Sequence, residues 1–153
     1  MRRNAILTLA ACGAMLLLQA CFEEDTFIQQ IEEAATLETE DEVVYIIDSI
    51  TTVSFPVTVF ENPGVPASEV IVYKQYTDTS GATSDRVEVL RTGEKSFTVT
   101  QSTADLVSNI TVGGQPLAGT NLAAGDEWVF TYEIAMQDSR LLTPLNTTTV
   151  TVE

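Results

Sequence analysis

Carboxylates are the side chains of this chain that could most readily take part in catalysis or bind a metal ion, because its composition removes most other reactive groups. The 153 residues include 22 Asp and Glu, two Cys and no His. Without an imidazole the chain has no Ser-His-Asp or Cys-His nucleophile and no histidine metal ligand. A hydrolase that uses two carboxylates is the mechanism left open, and the candidate pairs are Asp126 with Glu127 and Asp78 with Asp85. Neighbours in a strand point to opposite faces, so Asp126 and Glu127 are badly placed to share a substrate, and we predict that the protein is not an enzyme.

Asp78 and Asp85 lie at the two ends of a predicted hairpin loop and could instead supply oxygen ligands to calcium. Flexible hydroxyl residues lie between them. The loop lacks the Asp-x-Asp-x-Asn-Gly density of a dedicated calcium loop. We therefore expect a solvated hairpin connection and no cofactor, with a structural Ca²⁺ at Asp78 and Asp85 as the alternative.

Four aromatic residues could form a platform on which sugar rings stack, namely Tyr73, Tyr76, Trp128 and Tyr132. Trp128 and Tyr132 share one strongly apolar face of a predicted strand, so core packing is the expectation for both. Tyr73 and Tyr76 fall on opposite faces of another strand, which would expose one of them. Glycan binding through such residues remains an alternative.

Cys21 has a chemical context of its own, since Leu18, Gln19 and Ala20 precede it. This order matches the bacterial lipobox, whose cysteine receives a diacylglycerol. The apolar segment from residue 5 to residue 20 follows a short positive region and is too short for a membrane span, which needs about 20 residues. We predict that residues 1–20 are a lipoprotein signal peptide and that acyl chains on Cys21 bind the membrane; an ordinary signal anchor is the alternative.

Acidic residues crowd the segment that follows the lipobox. Residues 22–42 hold nine acids and no base, whereas residues 43–153 hold 13 acids and five bases. We predict that residues 21–42 form a lipidated acidic tether. Glu23, Glu24 and Asp25 resemble the acidic export signal of surface-displayed Bacteroidota lipoproteins, which implies the outer face of the outer membrane. Ser49, in Asp48-Ser49-Ile50, matches the O-glycosylation pattern of that phylum.

From residue 43 onward, short runs of β-branched and aromatic residues alternate with turn residues. Pro56 predicts an edge position or a bulge for its strand, and Ser102 is a candidate cap for one helical turn. No amphipathic helices separate the strands, which excludes a parallel α/β fold. The sequence predicts one all-β sandwich over residues 43–153, with seven strands at 42–48, 51–60, 69–77, 86–92, 96–101, 127–137 and 147–152.

The segment from Leu122 to Phe130 resembles the approach to the penultimate strand of an immunoglobulin or fibronectin-III domain. There a leucine precedes a corner tyrosine by six residues. Trp128 stands in place of that tyrosine, so its indole N–H would have to donate instead of a hydroxyl. Together with the strands over 70–78, 89–92 and 97–100, the chain resembles small Ig-like surface lipoproteins of Bacteroidota. The resemblance implies an immunoglobulin/fibronectin-III-like sandwich and carries no catalytic or binding residues.

These features predict a non-catalytic, lipid-anchored module of the cell envelope, on the outer membrane and exposed at the surface. Its partner would be an envelope protein; the alternative is a glycan, bound by an accessory lipoprotein of a polysaccharide uptake system. The net charge of −15 repels phosphate backbones, so nucleic acid is not an expected partner.

Overall fold

A computed structural model describes residues 35–46, 51–61 and 63–153 of the chain. Within these ranges almost all regular structure is β. The described strands are β1 (Ala35–Thr39), β2 (Glu42–Tyr45), β3 (Thr52–Glu61), β4 (Ala67–Thr77), β5 (Val87–Thr92), β6 (Ser96–Ser102), β7 (Thr111–Val112), β8 (Gln115–Pro116), β9 (Glu127–Met136), β10 (Leu141–Leu142) and β11 (Thr148–Val152). Helix α1 (Thr103–Val107) and a 3₁₀ turn (Gly119–Asn121) complete the described elements.

Two sheets pack face to face as a sandwich. The first has the order β1-β3-β6, and the second has the order β2-β11-β9-β4-β5, with β10 also paired to β9. Every pairing is antiparallel except that of β2 with β11, which is parallel. Strands β7 and β8 form a separate small hairpin.

All seven strands expected from the sequence are present, with ends that differ by at most two residues within the described ranges. The helical turn is present too: the Ser102 hydroxyl accepts from the Asp105 backbone N–H, and the Asp105 carboxylate accepts in return from the Ser102 backbone N–H. This reciprocal capping box explains why the chain turns into α1 directly after β6.

Strand β1 corrects the predicted tether. Residues 35–39 lie within the range 21–42, yet they pair with residues 57–61 of β3, and β2 begins at Glu42. Leu37 is 3% exposed and faces the core between two outward acidic or polar neighbours. The acidic residues make this strand hard to recognise in the sequence. They are compatible with a strand nonetheless, because in an edge strand their side chains can lie on the face that is exposed to solvent. The folded part of the chain therefore includes residues 35–42.

The core lies between the inward faces of β3, β4 and β9. Trp128, Phe130, Tyr132 and Ile134 alternate along β9 and are fully buried, as the sequence predicts. The rings of Phe55 on β3 and Phe130 meet edge to face with centroids 5.0 Å apart, which joins the two sheets.

Pro56 lies in β3, the middle strand of its sheet, so the predicted edge position is wrong. The Pro56 carbonyl accepts from the Thr39 hydroxyl at 3.1 Å. The backbone carbonyl of Pro56, and with it the backbone nitrogen, therefore points towards β1 and not towards β6. The β1 ladder ends at the pair Thr39–Val57. The absent N–H of proline therefore costs no ladder hydrogen bond, and a central strand tolerates it.

The strand register places the start of the described chain and the long loops at opposite ends of the sandwich. Ala35 pairs with Glu61, beside the β3–β4 turn. The segment 78–86 connects β4 to β5, and the segment 103–126 connects β6 to β9. Both lie at the end of the sandwich that is opposite to Ala35, where β9 begins. We call these the Ala35 end and the loop end. The ten residues of β9 separate them by about 30 Å at a strand rise of ~3.3 Å per residue.

Candidate functional site at the loop end

Asp126, at the start of β9, organises the loop end. Its Oδ1 accepts from the Thr79 backbone N–H at 3.1 Å, and its Oδ2 accepts from the Tyr76 hydroxyl at 2.5 Å and from the Ala123 backbone N–H at 2.8 Å. The residue is 2% exposed, whereas Glu127 is exposed on the opposite face, as predicted. Asp126 therefore joins the β4–β5 loop to the turn before β9, and this pair of acids does not share a site.

The hydroxyl of Tyr76 has a raised pKa at this position. Burial is the main cause, and the hydrogen bond to the Asp126 carboxylate and its negative charge add to it. The phenol therefore stays protonated and acts as a donor to Asp126 over the whole physiological range.

Asp78 builds the β4–β5 loop with one of its carboxylate oxygens. Its Oδ1 accepts from the Ser80 backbone N–H at 2.9 Å, from the Ser80 hydroxyl at 2.6 Å and from the Ala82 backbone N–H at 2.9 Å. These hydrogen bonds, the Ser80 hydroxyl first, lower the pKa of Asp78. The carboxylate is thus ionised and held in one orientation.

Asp85 is not part of this arrangement. It is exposed, while its neighbour Ser84 is buried and its hydroxyl accepts from the Tyr76 backbone N–H at 3.0 Å. Across residues 35–46, 51–61 and 63–153 no three His, Cys, Asp or Glu side chains group closely enough to hold a metal ion. The structure thus uses Asp78 as a turn-forming residue, and none of the hydrogen bonds of that turn involves the Asp85 side chain.

A cavity of about 330 Å³ opens at the loop end between the β4–β5 loop, the β7–β8 hairpin and the segment before β9. Sequence analysis missed it, because three segments that share no pattern form it. Its lining residues are Tyr76, Asp78, Thr79, Val112, Gln115, Pro116, Leu117, Asn121, Ala123 and Asp126.

Three polar groups of the cavity keep unused hydrogen-bonding capacity within the described residues. No described group bonds to Asp78 Oδ2, to the side-chain amide of Gln115 or to Asn121 Nδ2; Asn121 Oδ1 has one long contact, 3.4 Å, with the Thr120 hydroxyl. The residues that line the cavity thus include one carboxylate and two amides with such capacity, and also the apolar side chains of Val112 and Pro116.

The four aromatic residues do not form a stacking platform. Tyr76, Trp128 and Tyr132 are at most 2% exposed. Tyr73 faces outward, but the Arg86 guanidinium lies 3.8 Å from its ring centroid and covers it. Glycan stacking on these rings is therefore wrong as a site prediction.

The indole N–H of Trp128, which the sequence marks as the donor at the start of β9, has a backbone acceptor. Its indole Nε1–H donates to the Leu106 carbonyl in α1 at 3.1 Å. Because Leu106 is fully buried, this bond satisfies a polar group in the core and fixes α1 against β9.

Lys74 is a second feature that sequence analysis missed. It points inward from β4, is 2% exposed, and its ammonium donates to the Asp105 carbonyl. Burial lowers the pKa of Lys74 to about 8, and the nearby Asp105 carboxylate opposes that shift. Lys74 lines a cavity of about 180 Å³ together with Gln101, whose Oε1 is buried without a hydrogen-bond partner among the described residues.

The remaining predicted residues lie outside the described ranges, namely Leu18, Gln19, Ala20, Cys21, Glu23, Glu24, Asp25 and Ser49. Their lipidation, export and glycosylation assignments stay predictions. Among the helices that the structure describes, none has the length and apolar content to cross a membrane.

No family model matches the chain, and no curated protein matches it in sequence. Solved structures with a similar chain path include superoxide reductase (neelaredoxin) from Ignicoccus hospitalis, at 11% identity and a TM-score of 0.41, over 79% of this chain and 81% of that one. CopC from Methylosinus trichosporium OB3b is similar at 16% identity and a TM-score of 0.32, over 78% of this chain and 93% of that one. At these values neither likeness carries an argument about function.

Proposed function

We propose that the chain is a non-catalytic, lipid-anchored module of the bacterial cell envelope that presents its loop end to a partner. The lipobox at Cys21 supports the anchor. One structural observation carries the presentation: the described domain begins with Ala35 at one end of the sandwich, and the long loops with the cavity of about 330 Å³ lie at the other end. An anchor on Cys21 would be connected to the domain through Ala35, and we expect the loop end to be the end that is available to a partner.

The described carboxylates support a role without catalysis. Asp126 accepts three hydrogen bonds that hold loops together, and Glu127 faces away from it. Asp78 Oδ1 is engaged in its own turn, and Asp85 is exposed and does not line the cavity with it. Neither candidate pair places two available carboxyl groups on either side of one cleft, which is what a two-carboxylate hydrolase requires.

We propose further that the sandwich is immunoglobulin-like. The strand order β1-β3-β6 against β2-β11-β9-β4-β5 matches the order of strands A-B-E and A′-G-F-C-C′ of that architecture. Trp128 supports the same assignment through its place at the start of the F-like strand β9, where its N–H donates to the Leu106 backbone in the segment between β6 and β9, although the acceptor lies 22 residues upstream and the corner tyrosine's lies only a few.

For location we propose the outer membrane, with the domain on the outer face. The acidic residues that follow Cys21 support export to the surface. The charge of the domain is compatible with a position beside a membrane and not in contact with it, since acids outnumber bases among residues 43–153 by 13 to five and such a surface is repelled by anionic lipid.

The test of anchoring compares Cys21→Ala with Cys12→Ala, a matched change within the same signal segment. Labelling with radioactive palmitate and membrane fractionation should show that C21A loses label and leaves the outer membrane, whereas C12A behaves as the unmodified protein. Membrane retention of labelled C21A would refute the anchor.

Orientation is tested with an epitope inserted between Gly113 and Gly114 at the loop end, and with the same epitope between Asp138 and Ser139 at the Ala35 end. On intact cells the loop-end epitope should bind antibody at least as well as the other. If only the Asp138–Ser139 epitope reacts, the proposed presentation is wrong.

A further inference from the structure

We propose that the loop-end cavity binds a neutral saccharide unit. This inference deepens the proposed function by naming a ligand class for the loop end. It rests on that function only for the place on the cell at which the protein would encounter the ligand. The cavity volume of about 330 Å³ lies within the range of ~300–1,000 Å³ that is usual for small-molecule sites. The chemistry of its lining decides which small molecule fits.

The unused polar groups suit hydroxyls. Asp78 Oδ2 can accept from a sugar hydroxyl, and the amides of Gln115 and Asn121 can each donate to one and accept from another. A saccharide hydroxyl is both donor and acceptor, so adjacent hydroxyls can use a carboxylate and an amide together. The three groups come from three different segments and all line one cavity.

The carboxylate is already oriented before any ligand arrives. Three donors in its own turn hold Asp78 Oδ1, with distances of 2.6 to 2.9 Å, so that Oδ2 has little freedom. Asp126 fixes the loop that carries Asp78 relative to the segment before β9, because it joins Thr79 to Ala123. Such preorganisation lowers the entropic cost of binding a small, weakly interacting ligand.

Apolar carbon provides the second requirement of saccharide recognition. Val112, Pro116 and Leu117 line the cavity beside the amides. The C–H face of a pyranose ring can pack on such side chains while its hydroxyls reach the polar wall. None of the buried aromatic rings is needed for this contact.

Charge selects among saccharides and against metal ions. Asp78 and Asp126 line the cavity and no Lys or Arg does, so an acidic sugar would be repelled. Calcium takes six to eight oxygen ligands, often from several carboxylates. Both Asp126 oxygens already accept from protein donors, which leaves Asp78 Oδ2 as the one unengaged carboxylate oxygen among the lining residues. A neutral sugar is therefore favoured over both.

The experiment is a titration of the purified, ¹⁵N-labelled protein, followed by amide chemical shifts. The probes are the neutral sugars D-glucose, D-galactose, D-mannose and N-acetyl-D-glucosamine, the acidic sugar D-glucuronic acid, and CaCl₂ alone. At least one neutral sugar should shift the amides of residues 78–82, 112–117 and 121–126, with a millimolar Kd, and D-glucuronic acid should bind more weakly. No such shift with any neutral sugar up to about 50 mM, well above the millimolar range, would overturn the proposal.

Variants assign the binding to the cavity. Asp78→Asn keeps an oxygen for the turn but removes the charge, and Asn121→Ala removes one amide without touching the turn; each should weaken binding about fivefold, as the loss of one hydrogen bond does. Asp85→Asn is the matched control, since it makes the same charge change in the same loop outside the cavity lining, and it should leave Kd unchanged. Equal binding by all three variants, tighter binding of D-glucuronic acid, or shifts with CaCl₂ alone would each refute the saccharide site. Binding in solution does not depend on the anchor, so a failure here and a failure of lipidation are separate results.

Discussion

Lys74 should make the stability of this domain rise with pH in the mildly alkaline range. Its folded pKa is about 8, against an ordinary value of 10.5, because burial disfavours the ammonium. Between these two values the unfolded chain binds a proton that the folded chain does not bind. Stability increases with pH wherever the unfolded state holds more protons, so the penalty of the buried charge is full below pH 8 and is relieved as pH rises towards 10.5.

The magnitude follows from the shift. A difference of about 2.5 pKa units corresponds to about 3 kcal/mol of unfolding free energy. Of this, about 2 kcal/mol should be recovered between pH 7 and pH 9.5. Measurements should stop there, because the raised pKa values of Tyr76 and Tyr132 act in the opposite direction once unfolded tyrosines ionise near pH 10.

The perturbation is Lys74→Met, which keeps an unbranched chain of similar length and removes the charge. It also removes the hydrogen bond to the Asp105 carbonyl, a loss of about 1–2 kcal/mol. At pH 7 the variant should be more stable by about 1–2 kcal/mol, and its stability should not rise between pH 7 and pH 9.5.

The unfolding free energies of the wild type and of Lys74→Met are measured by urea denaturation at pH 7, 8, 9 and 9.5, with the fluorescence of the buried Trp128 as the signal. Lys95→Met is the control, since Lys95 is 32% exposed and pairs with Glu61; that variant should keep the pH-dependent gain. A flat wild-type profile, or a Lys74→Met profile that rises like the wild type, would refute the assignment of a buried, desolvated amine at this position.

Two further substitutions test the packing that the structure shows. Trp128→Phe removes the N–H that donates to the Leu106 carbonyl, and should lower the unfolding free energy by about 2 kcal/mol in urea melts; a loss below about 0.5 kcal/mol would contradict that bond. Leu37→Ala should lower the unfolding free energy by about 2–4 kcal/mol in thermal denaturation, because Leu37 is buried in β1. If the substitution has no effect, residues 35–39 are not part of the folded domain.

Local patterns were sufficient for the seven strands that the sequence predicts. In β9 every second residue is large and apolar, and Gly125 before it has a φ of +91°, a conformation that favours glycine and marks the turn. In β1 only Leu37 is fully buried, and its neighbours are polar or acidic. That strand owes its existence to pairing with β3, which no local pattern reports.

The cavity and the buried lysine escaped prediction for different reasons. Lys74 occupies the same face of β4 as Val70, Val72 and Tyr76, so the alternation alone predicts that its side chain points inward. The prediction was not made because lysine is rarely buried. The cavity could not be predicted, because Asp78, Gln115 and Asn121 approach one another only through the conformation of the loops after β6. Long-range loop packing leaves no periodic signal in the sequence.

The assignment of β1 also changes where the negative charge resides. Residues 22–34 carry five acids, whereas Glu38, Glu40, Asp41 and Glu42 belong to the described domain and are at least partly exposed there. Residues 35–153 thus combine 17 acids with five bases, and repulsion from anionic lipid is chiefly a property of the domain. Under the proposed lipid anchor at Cys21, the acids of residues 35–153 would therefore supply more of the repulsion from an anionic bilayer than the five acids of residues 22–34.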